Sequence, residues 1–294
     1  MPSQREIRRR IGAVRNIKQI TRAMQFVAAS KMKRAQDSAL ATRPYREMID
    51  EIVADVASAL RPEAVEQVAS MGVEFHAMLG GREQGRRLIV LITTDRGLAG
   101  PLNTNLIRFA MREILEHEGD VALVTVGRKG RDAMRRTGVP IVAHFPGFGD
   151  RPSFADVNPL AVLLNEEYMA GETREIDIIY PRFVSTLVQR PTLERLVPVA
   201  TPEDTAGIPG GQFIFEPNPL LVFQAIIPRW LATRLYQVIL EAKASEESSR
   251  MVAMKNATEN AEELIEDLTL SYNKVRQANI TREMTEIATG AQAL

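Results

Sequence analysis

Three histidines, His76, His117 and His144, are the side chains best suited to hold a metal or move a proton near neutral pH. They stand 41 and 27 residues apart, with no HxxxH or HExxH pairing to set two imidazoles on one helix face. Each therefore reads as a surface or hydrogen-bonded imidazole. The chain has no cysteine, which excludes disulfides, thiolate metal sites, iron–sulfur clusters and cysteine nucleophiles together. No Gly-x-Ser-x-Gly elbow and no local acid–histidine–serine set is present. Carboxylates are plentiful, but they sit mainly on helix faces, where solvation is their ordinary role. No catalytic residue, cofactor or metal is assigned.

Two glycine-rich turns could cradle an anion. The segment TTDRGLAGPLN (93–103) passes from a strand through glycines towards a helix, whose first N–H groups would face a phosphate. It lacks the GxGxxG spacing and the lysine and hydroxyl of GxxxxGK[ST], so a tight turn that permits close backbone packing is the favoured reading. A free-standing nucleotide-dependent α/β enzyme using the 93–106 turn stays open as the alternative. Gly127-Arg128-Lys129-Gly130 imitates a nucleic-acid GxxG loop, but it follows a strand, whereas that module needs it between helices.

Lysine plus arginine and aspartate plus glutamate are equal at 37 each, yet the charge is unevenly placed. Residues 1–46 carry twelve cations and two acids, while residues 241–294 carry six cations and ten acids. The two ends are electrostatically complementary. The basic end could meet nucleic-acid phosphates, but only Phe26 and Tyr45 precede residue 70, so no base-stacking platform exists. An acidic protein partner or a solvated face is the better reading. No apolar run nears the ~18 residues that cross a bilayer, and MPSQREIRRR lacks the apolar core and cleavage site of a secretory signal. The chain is read as soluble, reaching a membrane only through a partner.

Helix breakers divide the chain. From Arg229 to Thr289 there is neither glycine nor proline, which predicts a helix reaching about 90 Å. Asn218 is its candidate cap, Pro219 its first residue, Pro228 a kink and Gly290 its end. Ala13–Arg43 also lacks breakers, and apolar residues at 7, 11, 14, 17, 20, 24 and 27 form one stripe. Helical spacing resumes after Pro44, giving one bent helix to about residue 60. The C-terminal stripe runs 265, 268, 272, 275, then jumps to 280, 284, 287, 291 and 294. That five-residue step argues against a perfect heptad. A helix of this length must pack on the other long helix or on other proteins.

Between the helices, Arg87–Thr94, VALVTVG, VPIVAHF and Glu175–Pro181 read as strands, alternating with helices at 101–115, 128–138 and near 158–170. An extended pair follows at 183–189 and 192–199. The pattern predicts a doubly wound, Rossmann-like α/β domain beside a long antiparallel coiled coil. The expected division is 1–60 N-terminal coil helix, 61–85 linker, 86–200 α/β domain, 201–217 linker and 218–294 C-terminal coil helix.

Three segments carry a resemblance: EIRRRIGAVRNIKQITRAMQFVAASKMKRAQ (6–36), TTDRGLAGPLNTNL (93–106) and EESSRMVAMKNATENAEELIEDLTLSYNKVRQANITREMTEIATGAQAL (246–294). They closely resemble the gamma subunit of rotary, proton-driven ATP synthases, in order and over the whole chain. The resemblance implies a non-catalytic shaft, or central stalk, inside a ring of three alpha and three beta subunits, with the α/β domain near the membrane rotor c-ring and an epsilon subunit as a further partner. It implies torque transmission and regulation of ATPase activity, with ATP chemistry on the beta subunits. It implies no direct membrane insertion, no nucleic-acid partner, and a peripheral location on the cytoplasmic side of a bacterial plasma membrane.

Carried over by the resemblance, partner contacts fall on Met24, Arg250, Arg276, Gln277, Thr281, Glu283 and Glu286. The basic face Lys18, Arg22, Lys31, Lys33 and Arg34 is expected to meet acidic loops of the beta subunits, and the Ala/Leu-rich C-terminus to enter an apolar sleeve. The turn holds Ala99 where the family often has a cysteine, so no essential thiol is inferred there and disulfide switching is impossible in this chain.

Overall fold

The computed structural model describes residues 3–60, 78, 81–199 and 213–292. Most of the two expected linkers, His76 and the last stripe position, Leu294, lie outside the described residues.

Two compact units emerge, one of Met1–Ala29 with Arg250–Leu294 and one of Ser30–Ser249. Both draw on the same two helices, α1 (Gln4–Ala59), continuous across Pro44, and a C-terminal helix, Pro219–Gln292. The latter starts where its cap was expected, with Leu221 N–H donating to Asn218 Oδ1 at 2.9 Å. It runs past Gly290 instead of ending there.

The larger unit is built on a five-stranded sheet. Its elements are β1 (Arg86–Ile92), α2 (Leu102–Leu115), β2 (Val121–Val126), α3 (Arg128–Met134), β3 (Ile141–Phe145), α4 (Phe154–Met169), β4 (Thr173–Phe183) and β5 (Gln189–Val197); the C-terminal helix is α5. The strand order is β3-β2-β1-β4-β5, parallel except for the β4–β5 hairpin. Both faces are covered, so the central strands read as continuous apolar runs. Leu88, Val90 and Ile92 pack with Val53, Val56, Leu160, Phe223 and Leu235 from α1, α4 and α5. Ile89 and Leu91 turn the other way, to Leu102, Leu106 and Met134 of α2 and α3. Ser153 and Asp156 start α4 with a reciprocal capping box. The extended pair resolves differently from expectation: 183 completes β4, Ser185 and Val188 close a turn by backbone hydrogen bonds, and β5 begins at Gln189.

At the N-terminal edge of the sheet, Asp177 is fully buried between Arg87 (2.6 Å) and Arg195 (2.7 Å), and Glu175 also pairs with Arg195 at 2.7 Å. Complementary charges are what make a carboxylate tolerable at such depth.

In the smaller unit the two helices run antiparallel. Gln4 and Arg8 reach Tyr272, Lys18 reaches Glu262, and Thr21 shares a hydrogen bond with Thr258. Along α5 the positions 251, 254, 258, 261, 265, 268, 272 and 275 are covered in alternating steps of three and four, with 252, 253, 257, 269 and 273 half-buried beside them. The three-and-four spacing holds as far as Val275, and the five-residue step to 280 falls beyond it, so the heptad is not continued through the helix. On α1 the covered positions include 7, 11, 14, 18, 21, 25 and 28, with Gln4, Met24 and Ala29 half-buried as well. The expected stripe thus divides: Ile7, Ile11 and Val14 enter the seam, whereas Ile17, Ile20 and Val27 are 52%, 59% and 53% exposed. A strict 3.5-residue period, kept by supercoiling, selects Lys18, Thr21 and Gln25 over their apolar neighbours.

Candidate partner-contact surface

The carried-over residues fall into three settings. Lys18 lies in the seam, its Nζ 2.5 Å from Glu262, and this hydrogen bond holds the Glu262 carboxyl below its ordinary pKa. Arg22 is exposed nearby, while Met24 is half-buried beside the seam. Arg250 is half-buried and engaged within the chain.

The second setting is the end of α5. Every residue from Arg276 to Thr289 is exposed, including Arg276, Gln277, Thr281, Glu283 and Glu286. The seam stops at Tyr272 and Val275, where α1 begins. Tyr272 OH accepts from Gln4 Nε2 (3.1 Å) and Arg8 (2.5 Å), and the guanidinium of Arg8 lies 5.4 Å from the ring centroid. The hydrogen bond from Arg8 lowers the Tyr272 pKa. Beyond this clasp Ile280, Met284 and Ile287 are 50%, 67% and 72% exposed on one helical line.

The third setting belongs to the larger unit. Lys31 is engaged within the chain, 2.6 Å from Asp150, whose carboxyl it holds below the ordinary range. Lys33 pairs with Asp37 one turn on, and Arg34 Nε donates to the Ser30 carbonyl at 3.3 Å. Lys33 and Arg34 are exposed, whereas Lys31 is largely covered. The basic face is thus unequal, with Lys31 structural and its neighbours displayed.

The alternative, a nucleotide site at the 93–106 turn, meets specific obstacles. In a doubly wound sheet, ligands bind where strand order reverses, at the carboxyl ends of the central strands; here that is between β1 and β4. Those ends are covered by α5. Ser249 Oγ donates to the Ala99 carbonyl at 2.6 Å, Ser248 Oγ donates to the Thr186 carbonyl at 2.7 Å, and Phe183 N–H donates to Glu241 at 3.2 Å. The polar side chains at the start of the turn are also engaged. Asp95 accepts from the N–H groups of Arg128 and Gly147, and Thr93 Oγ1 accepts from that of Gly130. A Cβ on Gly127 would stand 2.2 Å from the Thr93 carbonyl oxygen, so this glycine serves close packing.

His117 is half-buried and its pKa is lowered, first by burial and then by Arg87. His144 Nδ1 lies 3.1 Å from Thr125 Oγ1. Among the described residues no group of three metal-capable side chains occurs, and no helix is long and apolar enough to cross a membrane. Sequence reasoning missed the outward line of Ile17, Ile20 and Val27 and the Tyr272 clasp. Continuing the 7-11-14 period to Ala28, Met32 and Ala35 is the signal that finds the first.

Comparison with known proteins gives one answer. Residues 3–294 match the family described as ATP synthase. The chain is similar to the ATP synthase gamma chain of Roseiflexus castenholzii, 46% identical over 297 residues, covering all of this chain and 99% of that one. It is 41% identical to the ATP synthase gamma chain of Pelotomaculum thermopropionicum, over the full length of both. Among solved structures, a chain of the Euglena gracilis mitochondrial ATP synthase OSCP/F1/c-ring assembly aligns with a TM-score of 0.64 at 19% identity, covering 99% of this chain and 94% of that one. A chain of the Tetrahymena thermophila central stalk and c-ring aligns at 0.59 and 23% identity, covering 81% and 99%. At those identities the likeness establishes the fold.

Proposed function

The chain belongs to the ATP synthase gamma-chain family, and we propose that it is the rotating central shaft of such an enzyme. Its coil stands inside a ring of three alpha and three beta subunits, its α/β unit meets the membrane c-ring, and an epsilon subunit binds beside it. It holds no catalytic group. ATP chemistry belongs to the beta subunits, and the complex is peripheral on the cytoplasmic side of a bacterial plasma membrane.

The observation that carries this reading is the bare end of α5. Fourteen consecutive helical residues with no covering partner among the described residues, three of them large and apolar, bury that line inside another protein. The mechanism follows from asymmetry. Ring subunits of one kind are identical in sequence, so only a shaft whose faces differ can hold them in different states. Each orientation offers each beta subunit a different set of contacts, and differential contact free energy shifts its conformers and hence its nucleotide affinity. Proton flow sets the angle; the angle sets the populations.

The test is native mass spectrometry of the chain co-expressed with the alpha and beta subunits of its source, followed by ATPase assay. One copy per three alpha and three beta, with activity dependent on the chain, is the expected result. A chain that stays apart, or that binds nucleotide alone, overturns the reading.

A further inference from the structure

Within the larger unit α5 first meets the sheet through apolar side chains, Phe223, Ile227, Leu231, Leu235 and Val238 among them. Past Ala242 the buried residues change character: Ser245, Glu247, Ser248 and Ser249 are all at most 6% exposed. Apolar burial is non-directional and resists a small roll of a helix weakly, whereas a hydrogen bond weakens steeply as its angle closes. The serines exploit that difference. Ser249 Oγ donates to the Ala99 carbonyl at 2.6 Å, in the turn after β1. Ser248 Oγ donates to the Thr186 carbonyl at 2.7 Å and accepts from Gln189 Nε2 at 3.4 Å, at the β4–β5 turn. Glu241, seven residues before Ser248 and so on the same helix face, accepts from the Phe183 N–H at 3.2 Å. The 146–153 loop adds a fourth tie, because Asp150 lies 2.6 Å from Lys31 of α1 and 3.9 Å from Lys243 of α5.

Resting on the shaft reading above, we propose that Ser248, Ser249 and Asp150 form a torsional key. They are positioning residues that fix the angle of α5 on the sheet, so that torque reaching the α/β unit turns the helix instead of being absorbed at their contact. Two of the acceptors are backbone carbonyls of separate turns, which are held by the sheet and cannot follow a rolling helix. Stability does not ask for this arrangement. An apolar face would be buried as well without each hydroxyl needing a partner, and alanine is a better helix former than serine. Ser245 separates the serine side chain from the bond it can make. It is as buried as Ser248, yet its hydroxyl has no hydrogen-bond partner among the described residues, so it adds nothing to the key. Directional bonds to loops that follow three different strands, β1, β3 and β4, are what a shaft needs where its driven part grips its driving part.

The experiment measures torsional stiffness in the assembled complex. The chain has no cysteine and Leu115 is 77% exposed, so Leu115→Cys gives one attachment point on the α/β unit for a gold probe, with cysteine-free alpha and beta subunits around the coil. The ring is fixed to a surface and stalled with a non-hydrolysable ATP analogue, and the angular variance of the probe is read. Ser248→Ala/Ser249→Ala should raise that variance at least about 1.5-fold, since two of the four ties are gone while the twist of the coil stays in series. Unloaded ATPase activity should stay as in wild type, because no group at the nucleotide is touched. Ser245→Ala, which removes no bond, should change neither. Asp150→Ala unties a third loop at a half-exposed side chain and should broaden the angle by itself, which decides the matter if the serine variant does not assemble. Wild-type variance in the serine variant, or in Asp150→Ala where that variant is the one that assembles, overturns the inference. Equal broadening by Ser245→Ala also overturns it, by assigning the effect to packing. Failure of wild type itself to enter the ring would instead remove the shaft reading.

Discussion

Amide hydrogen exchange at the end of α5 gives the sharpest test of how the shaft is stabilised. In the free chain, residues 276–289 rest on helix propagation alone, since every one is exposed. Ile280, Thr281, Thr285, Ile287 and Thr289 are β-branched and lose rotamer freedom in a helix. The hydroxyls of Thr285 and Thr289 bond back to carbonyls four residues earlier, which adds little. With propagation near unity, opening should need about 0–1 kcal/mol, so exchange is slowed less than about tenfold. Assembly is the perturbation. Ile280, Met284 and Ile287 are 50%, 67% and 72% exposed in the chain alone, close to two whole side chains still open to water. Burying that remainder contributes about 3–6 kcal/mol, a slowing of about 150- to 25,000-fold at these amides. The assay is exchange read by mass spectrometry on the dilute free chain and on the complex, with the 254–275 seam as internal reference. Protection of 276–289 above about 100-fold in the free chain, or no change on assembly, would refute the reasoning.

Four further outcomes are expected. Lys31→Glu should lower the melting temperature of the isolated chain, because it sets a carboxylate against Asp150 near Glu246 and Glu247, whereas Lys33→Glu should not; equal effects by calorimetry would show that burial does not separate the two. Asp177→Asn should destabilise by about 3–5 kcal/mol, leaving Arg87 poorly compensated, while Arg87→Met/Asp177→Leu recovers most of that loss, since Glu175 and Arg195 keep each other; denaturant melts of the pair decide. The Glu241 pKa is raised by burial, against the Phe183 N–H bond that lowers it. The folded chain therefore holds this proton more tightly than the unfolded one, and stability falls as pH rises from the ordinary glutamate range through the raised value. Glu241→Gln, which keeps an acceptor for Phe183, should flatten that slope and melt higher than wild type at neutral pH; a slope identical to wild type would exclude Glu241 as its source. Arg276→Ala/Gln277→Ala should leave the free chain's melting unchanged and lower ATPase activity of the complex at least about tenfold, and normal turnover would remove the contact assignment.

Much of the fold was legible because its signals are local. A glycine- and proline-free run, an Asn-Pro start and Val/Ile strands alternating with helices each need only a short window, and α5, β1, β2 and β3 follow them closely. The β4–β5 hairpin was misread because Phe183 to Gln189 has strand composition, while the turn at Ser185 depends on hydrogen bonds that composition does not show. The α1 seam was misread for a deeper reason. Hydrophobic periodicity finds the richest apolar line and equates it with the buried one. At 17, 20 and 27 those are different lines, since Ile17, Ile20 and Val27 stay more than half exposed while Lys18, Thr21 and Gln25 are covered.

The same distinction explains which site residues a sequence can give. Lys31, Lys33 and Arg34 look equivalent in a run of charge, yet one is bound to Asp150 and two face outward. Only the return of the 146–153 loop to α1, set by β3 and the α4 capping box, separates them. A partner surface is defined by what the chain declines to cover, and that is known only once every intramolecular contact has been made. Among the described residues of the smaller unit, Ile17, Ile20 and Val27 form one exposed apolar line and Ile280, Met284 and Ile287 another. They lie on different helices, one on α1 and one on the end of α5, so the unit is not symmetric about its own axis. A symmetric coil with the same composition would offer every ring subunit the same contacts at every angle, and could turn without shifting any of them.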